Sequence, residues 1–179
     1  MAKAITGTFT ITGKVSMTAA GYGTTTIPIG SLIDVGDAQA LEIEQVDYVY
    51  QNYDTAADVY EPIGPSQPLN ADGTMAAQLM DRNAGTFISA DDNNLISSGS
   101  LAFGAADNVQ TNGADFFPDD FQKTNGRFVV NDELYLVGRM PIAPVANQRL
   151  DLTARIRAKV VKLSTRDWMA ISLETVQNE

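Results

Sequence analysis

The residues that most often carry out catalysis are missing from this chain of 179 residues, which contains neither His nor Cys. Ser-His-Asp and Cys-His sets are therefore excluded, as are disulfides and metal sites built from thiolate or imidazole ligands. Glu42 and Glu44 share one strand face and could serve glycoside hydrolysis. We favour the alternative that they form the solvated side of a half-buried strand. We therefore predict a protein that is not an enzyme and has neither catalytic residues nor a cofactor.

Calcium is the one metal ion whose ligands this composition offers. Hard oxygen ligands cluster at residues 70–73, 91–94 and 119–120. None of these segments completes an EF-hand loop, which needs a Glu at its twelfth position. Asp and Asn are also ordinary turn residues, because their side chains cap nearby backbone groups. We interpret all three segments as turns and predict no metal site.

A basic stripe lies near the C-terminal end of the chain. Arg155, Arg157 and Lys159 are two residues apart, so a strand places them on one face. Residues 1–138 hold 5 basic and 18 acidic side chains, a net charge of −13, whereas residues 139–179 hold 7 and 4, a net charge of +3. The acidic bulk disfavours nucleic acid as a partner. The stripe is either solvent surface or a contact with an acidic neighbour, which every other copy of the chain provides.

Three Phe residues fall within six positions of a polar segment: Phe116, Phe117 and Phe121. Two interpretations stay open. The cluster is a loop plug that folds back on the core, or it is an exposed anchor for a partner subunit, since aromatic residues dominate interface hot spots. Together with the basic stripe, these residues are our candidates for contacts between subunits.

The elements that position these residues are mainly strands. Apolar and polar residues alternate from Ile5 to Met17 and again from Leu150 to Val160, and a period of two is typical of a strand with one buried face. We predict a core that includes the following residues: Ile5, Phe9, Ile11, Leu152, Ile156, Val160, Ile171 and Leu173.

Between these two strands the pattern is less regular. Residues 39–51 predict a long central strand whose apolar phase changes near Gln45, which indicates a β-bulge. Residues 74–82 predict a short helix, and residues 168–176 predict a closing strand that forms a hairpin with residues 149–163. Most of the region from 52 to 126 is expected to form long loops, which commonly serve binding or assembly.

Roughly eight strands with few helices and no repeat are typical of a sandwich. We therefore predict an all-β fold, an antiparallel two-sheet jelly-roll sandwich with long loops, as a single domain over residues 1–179. The N-terminal residues do not resemble a signal peptide. No apolar run is long enough to span a bilayer, so we expect no membrane insertion.

Residues 39–50 and the closing segment 152–173 carry a resemblance to a known family. In these segments the chain resembles the single jelly-roll capsid proteins of icosahedral, internal-membrane DNA viruses of archaea or thermophilic bacteria. The resemblance implies a structural subunit that self-assembles into a virion shell as a homo-oligomer, with or without a second capsid protein, after synthesis in the host cytoplasm.

Related subunits that wrap a bare genome often begin with an Arg/Lys-rich arm. This chain has only Lys3 and Lys14 in that region. We therefore expect no direct binding of nucleic acid. The alternatives to a capsid subunit are a carbohydrate-binding β-sandwich module and a component of a phage tail or fibre.

Overall fold

The computed structural model describes residues 2–61, 63, 73–104, 109–112 and 126–176. Within these ranges the chain forms eleven strands and one α-helix. The elements are β1 (Lys3–Ala4), β2 (Phe9–Met17), β3 (Gly21–Pro28), β4 (Gln39–Asp54), β5 (Val59–Glu61), β6 (Gly73–Met80), β7 (Leu95–Gly104), β8 (Val109–Asn112), β9 (Arg127–Val129), β10 (Glu133–Met140), β11 (Gln148–Lys162) and α1 (Thr165–Val176). The described part of the chain has no helix that is both long and apolar enough to cross a membrane.

The order in which the strands pair defines the architecture. Strand β2 lies antiparallel to β11, β3 to β10, β4 to β9 and β6 to β7. This nested pairing is that of one long antiparallel hairpin that has been rolled up. Pairing of β11 with β4 and of β10 with β6 then completes two sheets. Sheet A has six strands, in which β1 and β2 pair with β11, β11 pairs with β4, and β5 and β9 pair with β4; sheet B has the order β3-β10-β6-β7-β8. The predicted antiparallel jelly-roll sandwich is therefore confirmed.

The inner faces of sheets A and B enclose one apolar core. Strands β2 and β11 turn alternate residues inward, as their period of two predicts. Leu152, Ile156 and Val160 are buried, and Phe9 and Ile11 pack against the core while partly exposed. The predicted phase of both strands is therefore confirmed.

Three residues that the sequence assigned to this core lie elsewhere. Ile5 is 48% exposed, because β2 begins only at Phe9 and the inward alternation does not reach back to it. Leu173 is 59% exposed, because it lies on a helix rather than on a strand. Ile171 is partly buried and packs against a second, smaller apolar cluster outside the sandwich.

Strand β4 contains the predicted β-bulge. Arg157 and Ala158 of β11 are partners of Gln45 and Ile43, so Glu44 is the extra residue on β4. One inserted residue reverses the alternation of the strand from that point onward. The bulge therefore keeps the apolar residues on both sides of it facing the core.

Two tyrosines beyond the bulge connect the sheets. The hydroxyls of Tyr48 and Tyr50 donate hydrogen bonds to the carbonyl oxygens of Ser97 and Gly99 on β7, each at 3.0 Å. Burial raises the pKa of Tyr48, since a phenolate inside the core would lose its hydration. These tyrosines supply apolar surface to the core and satisfy the polar end of each ring with backbone of the opposite sheet.

The predicted helix over residues 74–82 is wrong, because residues 73–80 form β6 between β10 and β7. Ala, Gln, Leu and Met are good helix formers, which explains the error. In the sheet, Met75, Ala77 and Leu79 alternate with more exposed neighbours and face the core. Two flanking strands supply hydrogen bonds and packing that outweigh this local preference.

The predicted closing strand over residues 168–176 is also wrong, because residues 165–176 form α1. The N–H of Asp167 donates to the Ser164 hydroxyl at 3.1 Å, and the N–H of Trp168 donates to the Ser164 carbonyl at 2.9 Å. Ser164 therefore caps the helix. The segment 164–167 has the Ser-x-x-Asp pattern that is typical of a helix start, a signal that the strand interpretation overlooked.

The region from 52 to 126 contains more regular structure than predicted. Its described part includes β5, β6, β7 and β8, and β6 lies inside sheet B rather than in a loop. The prediction of a mostly irregular region is therefore wrong for that part. Phe116, Phe117 and Phe121 lie outside the described residues, so their proposed role as anchors stays a prediction.

Candidate interaction surface on the outer face of sheet A

The outer face of sheet A carries the basic stripe and the two glutamates that the sequence singled out. Strand β11 lies between β2 and β4, and its odd-numbered residues from Arg149 to Lys159 point away from the core. The predicted basic stripe of Arg155, Arg157 and Lys159 therefore shares one face. Arg155 and Arg157 are exposed, while Lys159 is partly buried.

Lys159 forms ion pairs with two carboxylates of its own chain. Its Nζ lies 3.3 Å from Glu42 Oε1 and 2.9 Å from Glu44 Oε1. The hydrogen bond from Lys159 lowers the pKa of Glu44, and Thr8 donates a further bond to the same carboxylate at 2.9 Å. An acid catalyst for glycoside hydrolysis needs a raised pKa. The two glutamates therefore act here as partners of a lysine.

The two arginines of the stripe are less fully neutralised. Arg157 donates to Gln45 Oε1 at 3.2 Å, which is a neutral acceptor. Arg155 lies directly opposite Asp47 of β4, but the Asp47 carboxylate accepts a hydrogen bond from Gln45 at 2.8 Å. Among the described residues, neither arginine forms an ion pair within 4.0 Å. Of the three basic candidates for contacts between subunits, these two have charge available for a neighbour.

A buried carboxylate organises one end of this face. Asp151 is fully buried and accepts two hydrogen bonds from Arg149, Nε to Oδ1 at 2.8 Å and Nη2 to Oδ2 at 2.9 Å. The hydroxyl of Tyr60 donates to Oδ2 at 2.9 Å, and Lys14 Nζ lies 3.4 Å from the same oxygen. Burial opposes ionisation, but the hydrogen bonds from Arg149, Ser16 and Tyr60 outweigh it and lower the pKa of Asp151.

Tyr60, which contacts this carboxylate, packs against Tyr53, and we call the two residues the tyrosine platform. Their ring centroids are 4.9 Å apart and the planes are inclined at 64°, an edge-to-face arrangement. The guanidinium carbon of Arg149 lies 4.2 Å from the centroid of Tyr53. Tyr60 remains 50% exposed. The platform joins β4, β5 and β11, and its hydrogen bond from Tyr60 to Asp151 connects residues 91 positions apart.

Helix α1 covers the other end of the outer face. Trp168 and Ile171 pack on a small cluster that includes Val161 and Leu163, and the Trp168 indole donates to the Gln39 carbonyl at 3.2 Å. Two further apolar residues of the helix, which we call the helix stripe, are Met169, 54% exposed, and Leu173, 59% exposed. Residues four apart share one side of a helix. The helix stripe is therefore an apolar surface that nothing in the described structure covers.

A second polar cluster lies away from the stripe, where the β6–β7 connection meets β9. Asp81 is buried, and its Oδ2 lies 3.3 Å from Arg127 Nη2. Its backbone carbonyl accepts from Asn131 at 2.8 Å. Burial raises the pKa of Asp81 to about 6, since the attraction of Arg127 offsets only part of the lost hydration.

Replacing Asp81 with Asn is expected to flatten the pH dependence of stability. A carboxyl whose folded pKa lies above its ordinary value of 3.8 stabilises the folded state when protonated, and this contribution is lost as pH rises through about 6. Near pH 7.5 the free energy of unfolding of the variant should exceed that of the wild type by about 1–3 kcal/mol. Urea unfolding at pH 4.5 and 7.5 measures the effect. Asp91→Asn, an exposed change in the same connection, should alter neither value. If the unfolding free energy of Asp81→Asn changes between pH 4.5 and 7.5 as much as that of the wild type, the prediction is contradicted.

The candidate calcium ligands that the structure describes act as turn residues. Asp92 Oδ1 accepts from the backbone N–H of Asn94 at 2.9 Å, and Asp92 Oδ2 lies 2.8 Å from Arg82. No group of three or more acidic residues with metal-site geometry occurs in the described part of the chain. Residues 70–72 and 119–120 lie outside it.

The sequence interpretation missed the tyrosine platform, Asp151 and the helix stripe. Asp151 sits at an ordinary polar position of an alternating strand, so nothing marks it as buried. Tyr60 lies in a region that was predicted to be a loop. Only the capping pattern at 164–167 could have indicated the helix and hence the stripe.

The pairing of the strands defines the class of the protein as a jelly-roll sandwich. No protein-family model matches the chain, and no curated protein matches it either. One solved structure that it is similar to is the virus-like particle of the extra small virus of the giant freshwater prawn Macrobrachium rosenbergii, determined by cryo-electron microscopy. The two chains share 12% identity over 90% of this chain and 83% of the other, with a TM-score of 0.29. The jelly-roll assignment rests on the strand pairing of this chain and not on that similarity.

Proposed function

We propose that the chain is a structural subunit of a viral capsid shell, which self-assembles as a homo-oligomer through contacts of loops, the outer face of sheet A and α1. The observation that carries this proposal is the helix stripe, because Met169 and Leu173 expose apolar surface that a second copy would remove from water. The jelly roll is compatible with this role, since capsid and lectin domains both use it.

In this proposal the charged residues of the outer face orient neighbouring subunits rather than hold them together. Exposed ion pairs are worth about 0–1 kcal/mol each and are screened within about 10 Å at 0.1 M salt. Arg155 and Arg157 would therefore fix the orientation of neighbours, while apolar contacts supply most of the association energy. Lys159 is set apart from them, because it is already neutralised by Glu42 and Glu44.

The finer features of the proposal rest on the resemblance in residues 39–50 and 152–173. They are a shell of the internal-membrane type in a virus of archaea or thermophilic bacteria, and a genome that this subunit does not contact. A second capsid protein is compatible with the same arrangement. We also propose that the chain is not an enzyme and has no catalytic residues.

Assembly tests the proposal directly. The purified full chain should form large, uniform particles in sedimentation velocity and negative-stain images. Met169→Lys combined with Leu173→Glu should leave the melting temperature unchanged, because both side chains are exposed, and should reduce the assembled fraction at least about tenfold. Arg155→Glu with Arg157→Glu should slow assembly or misdirect it, without changing nucleic-acid content.

The control for the helix stripe is Leu32→Lys, a similarly exposed apolar position between β3 and β4 that the proposal leaves out of the contact. This variant should assemble as the wild type does. A wild type that stays monomeric at high concentration contradicts the shell. Normal particles from the Met169 and Leu173 double variant would remove the helix stripe from the interface.

A further inference from the structure

The ring of Tyr60 is held in place at both of its ends. Its backbone pairs with Tyr53 in the β4–β5 hairpin, while its hydroxyl donates to Asp151 at 2.9 Å and accepts from Lys14 Nζ at 3.3 Å. Half of the residue is nevertheless exposed. An aromatic ring that is fixed and open to solvent offers a flat apolar surface without a further cost of ordering it.

The hairpin that presents this ring is rigid for local reasons. The carboxylate of Asp54 accepts from the backbone N–H groups of Ala56 and Ala57 at 2.8 and 3.0 Å. Asp58 takes a left-handed conformation with φ of 59°, which Asp tolerates better than most residues. The Tyr53 hydroxyl donates to the Asp58 carboxylate. The hydrogen bond between Tyr53 and Asp58 therefore stabilises both the platform and the turn.

Charged residues of both signs surround the platform. Lys14 and Arg149 are offset by Asp151 and Asp58, and Asp54 and Glu61 lie in the same hairpin, so the surroundings of the platform carry no excess of positive charge. The platform offers donors on Lys14, which contacts the Tyr60 hydroxyl, and acceptors on the exposed Asp58 carboxylate, which contacts the Tyr53 hydroxyl. A flat apolar face flanked by a few polar groups favours an uncharged ligand with hydroxyls at its edge.

We propose that the tyrosine platform is a binding site for a saccharide, with one pyranose ring stacked on the exposed face of Tyr60. The C–H face of a pyranose is flat and apolar, and its hydroxyls lie around the edge. Lys14 would donate to those hydroxyls and Asp58 would accept from them. Stacked nucleobases are disfavoured, because their phosphates would meet the acidic bulk of the protein. The site is built within one chain and lies at the end of the outer face of sheet A opposite α1.

Oligosaccharide titration of the full chain tests this proposal. The probes are the hexasaccharides of β-1,4-glucose, α-1,4-glucose and β-1,4-N-acetylglucosamine, followed by calorimetry and by saturation-transfer NMR. At least one should bind and receive saturation through its ring protons. Tyr60→Leu keeps apolar volume but removes the aromatic face, and it should weaken binding at least about tenfold. Tyr60→Phe keeps the aromatic face but loses the hydroxyl that fixes the ring, so it should weaken binding by less than Tyr60→Leu does.

The matched control is Tyr22→Leu. Tyr22 is a 47% exposed tyrosine on sheet B that contacts Phe87 edge to face at 5.5 Å and lies 5.7 Å from Arg139. This variant should bind as the wild type does. If Tyr60→Leu fails to fold, Lys14→Met replaces it and should weaken the same titration severalfold. Three outcomes overturn the proposal: no binding to any probe, equal losses at Tyr22 and Tyr60, or binding of a single-stranded oligonucleotide in preference to the sugars.

Discussion

Replacing Ile156 with Asp is expected to prevent folding altogether. Ile156 is fully buried at the centre of β11, paired with Ile11 on one side and with Val46 on the other. Loss of the buried side chain costs about 2–5 kcal/mol. An unpaired carboxylate in the core adds several kcal/mol more. The sum approaches the total stability of a typical domain, which is about 5–15 kcal/mol.

Circular dichroism and a thermal melt measure this effect. The matched control is Arg155→Asp, which introduces the same side chain one position earlier, where the strand faces solvent. That variant should keep the wild-type melting temperature within a few degrees. A folded Ile156→Asp protein with an unchanged melting temperature would show that the phase of β11 is wrong.

Replacing Asp151 with Asn should have the second-largest effect on stability. The carboxylate accepts hydrogen bonds from Arg149 and Tyr60 and lies close to Lys14, so its loss disconnects β2, β5 and β11 on the outer face. Hydrogen bonds to a charged group contribute about 1.5–3 kcal/mol each. Arg149 and Lys14 are partly exposed and can be rehydrated, so we expect a net loss of about 2–3 kcal/mol near pH 7.

The pH dependence of this loss identifies its cause. The pKa of Asp151 is lowered in the folded state, so its stabilising contribution is complete above the ordinary value of 3.8 and disappears as pH falls through the lower, folded value. The difference between wild type and Asp151→Asn in chemical unfolding should therefore shrink below about pH 4. Asp47→Asn, an exposed change on the same face, should alter stability by less than about 0.5 kcal/mol. A difference that stays constant down to pH 2 would attribute the effect to packing alone.

Much of the fold follows from patterns that a reader can see in the sequence. The alternation in residues 5–17 and 150–160 predicts the phase of β2 and β11, because a half-buried strand permits only one register of apolar side chains. The break near Gln45 predicts the bulge for the same reason. These are local constraints, and each acts within a few residues.

The predictions for two elements were wrong, because the local preference of the sequence and the tertiary environment disagree there. The composition of residues 74–80 favours a helix. They lie between β10 and β7, however, and only a strand there can form backbone hydrogen bonds with both neighbours. Residues 168–176 alternate like a strand, but Ser164 caps a helix there, and β11 is already paired with β2 on one side and β4 on the other. A pattern of nine residues is too short to decide between these states without neighbours.

The fold class, the phase of the long strands and the missing residue types can be read from the sequence alone. Tertiary structure decided which charges are available and which are neutralised. Lys159 lies between two glutamates that are 115 and more positions away, and Tyr60 reaches a carboxylate 91 positions away. Pairing over such distances depends on which strands become neighbours when the chain rolls up. That choice is made by burial of the whole core rather than by any short segment, so the tyrosine platform could not be predicted from spacing alone.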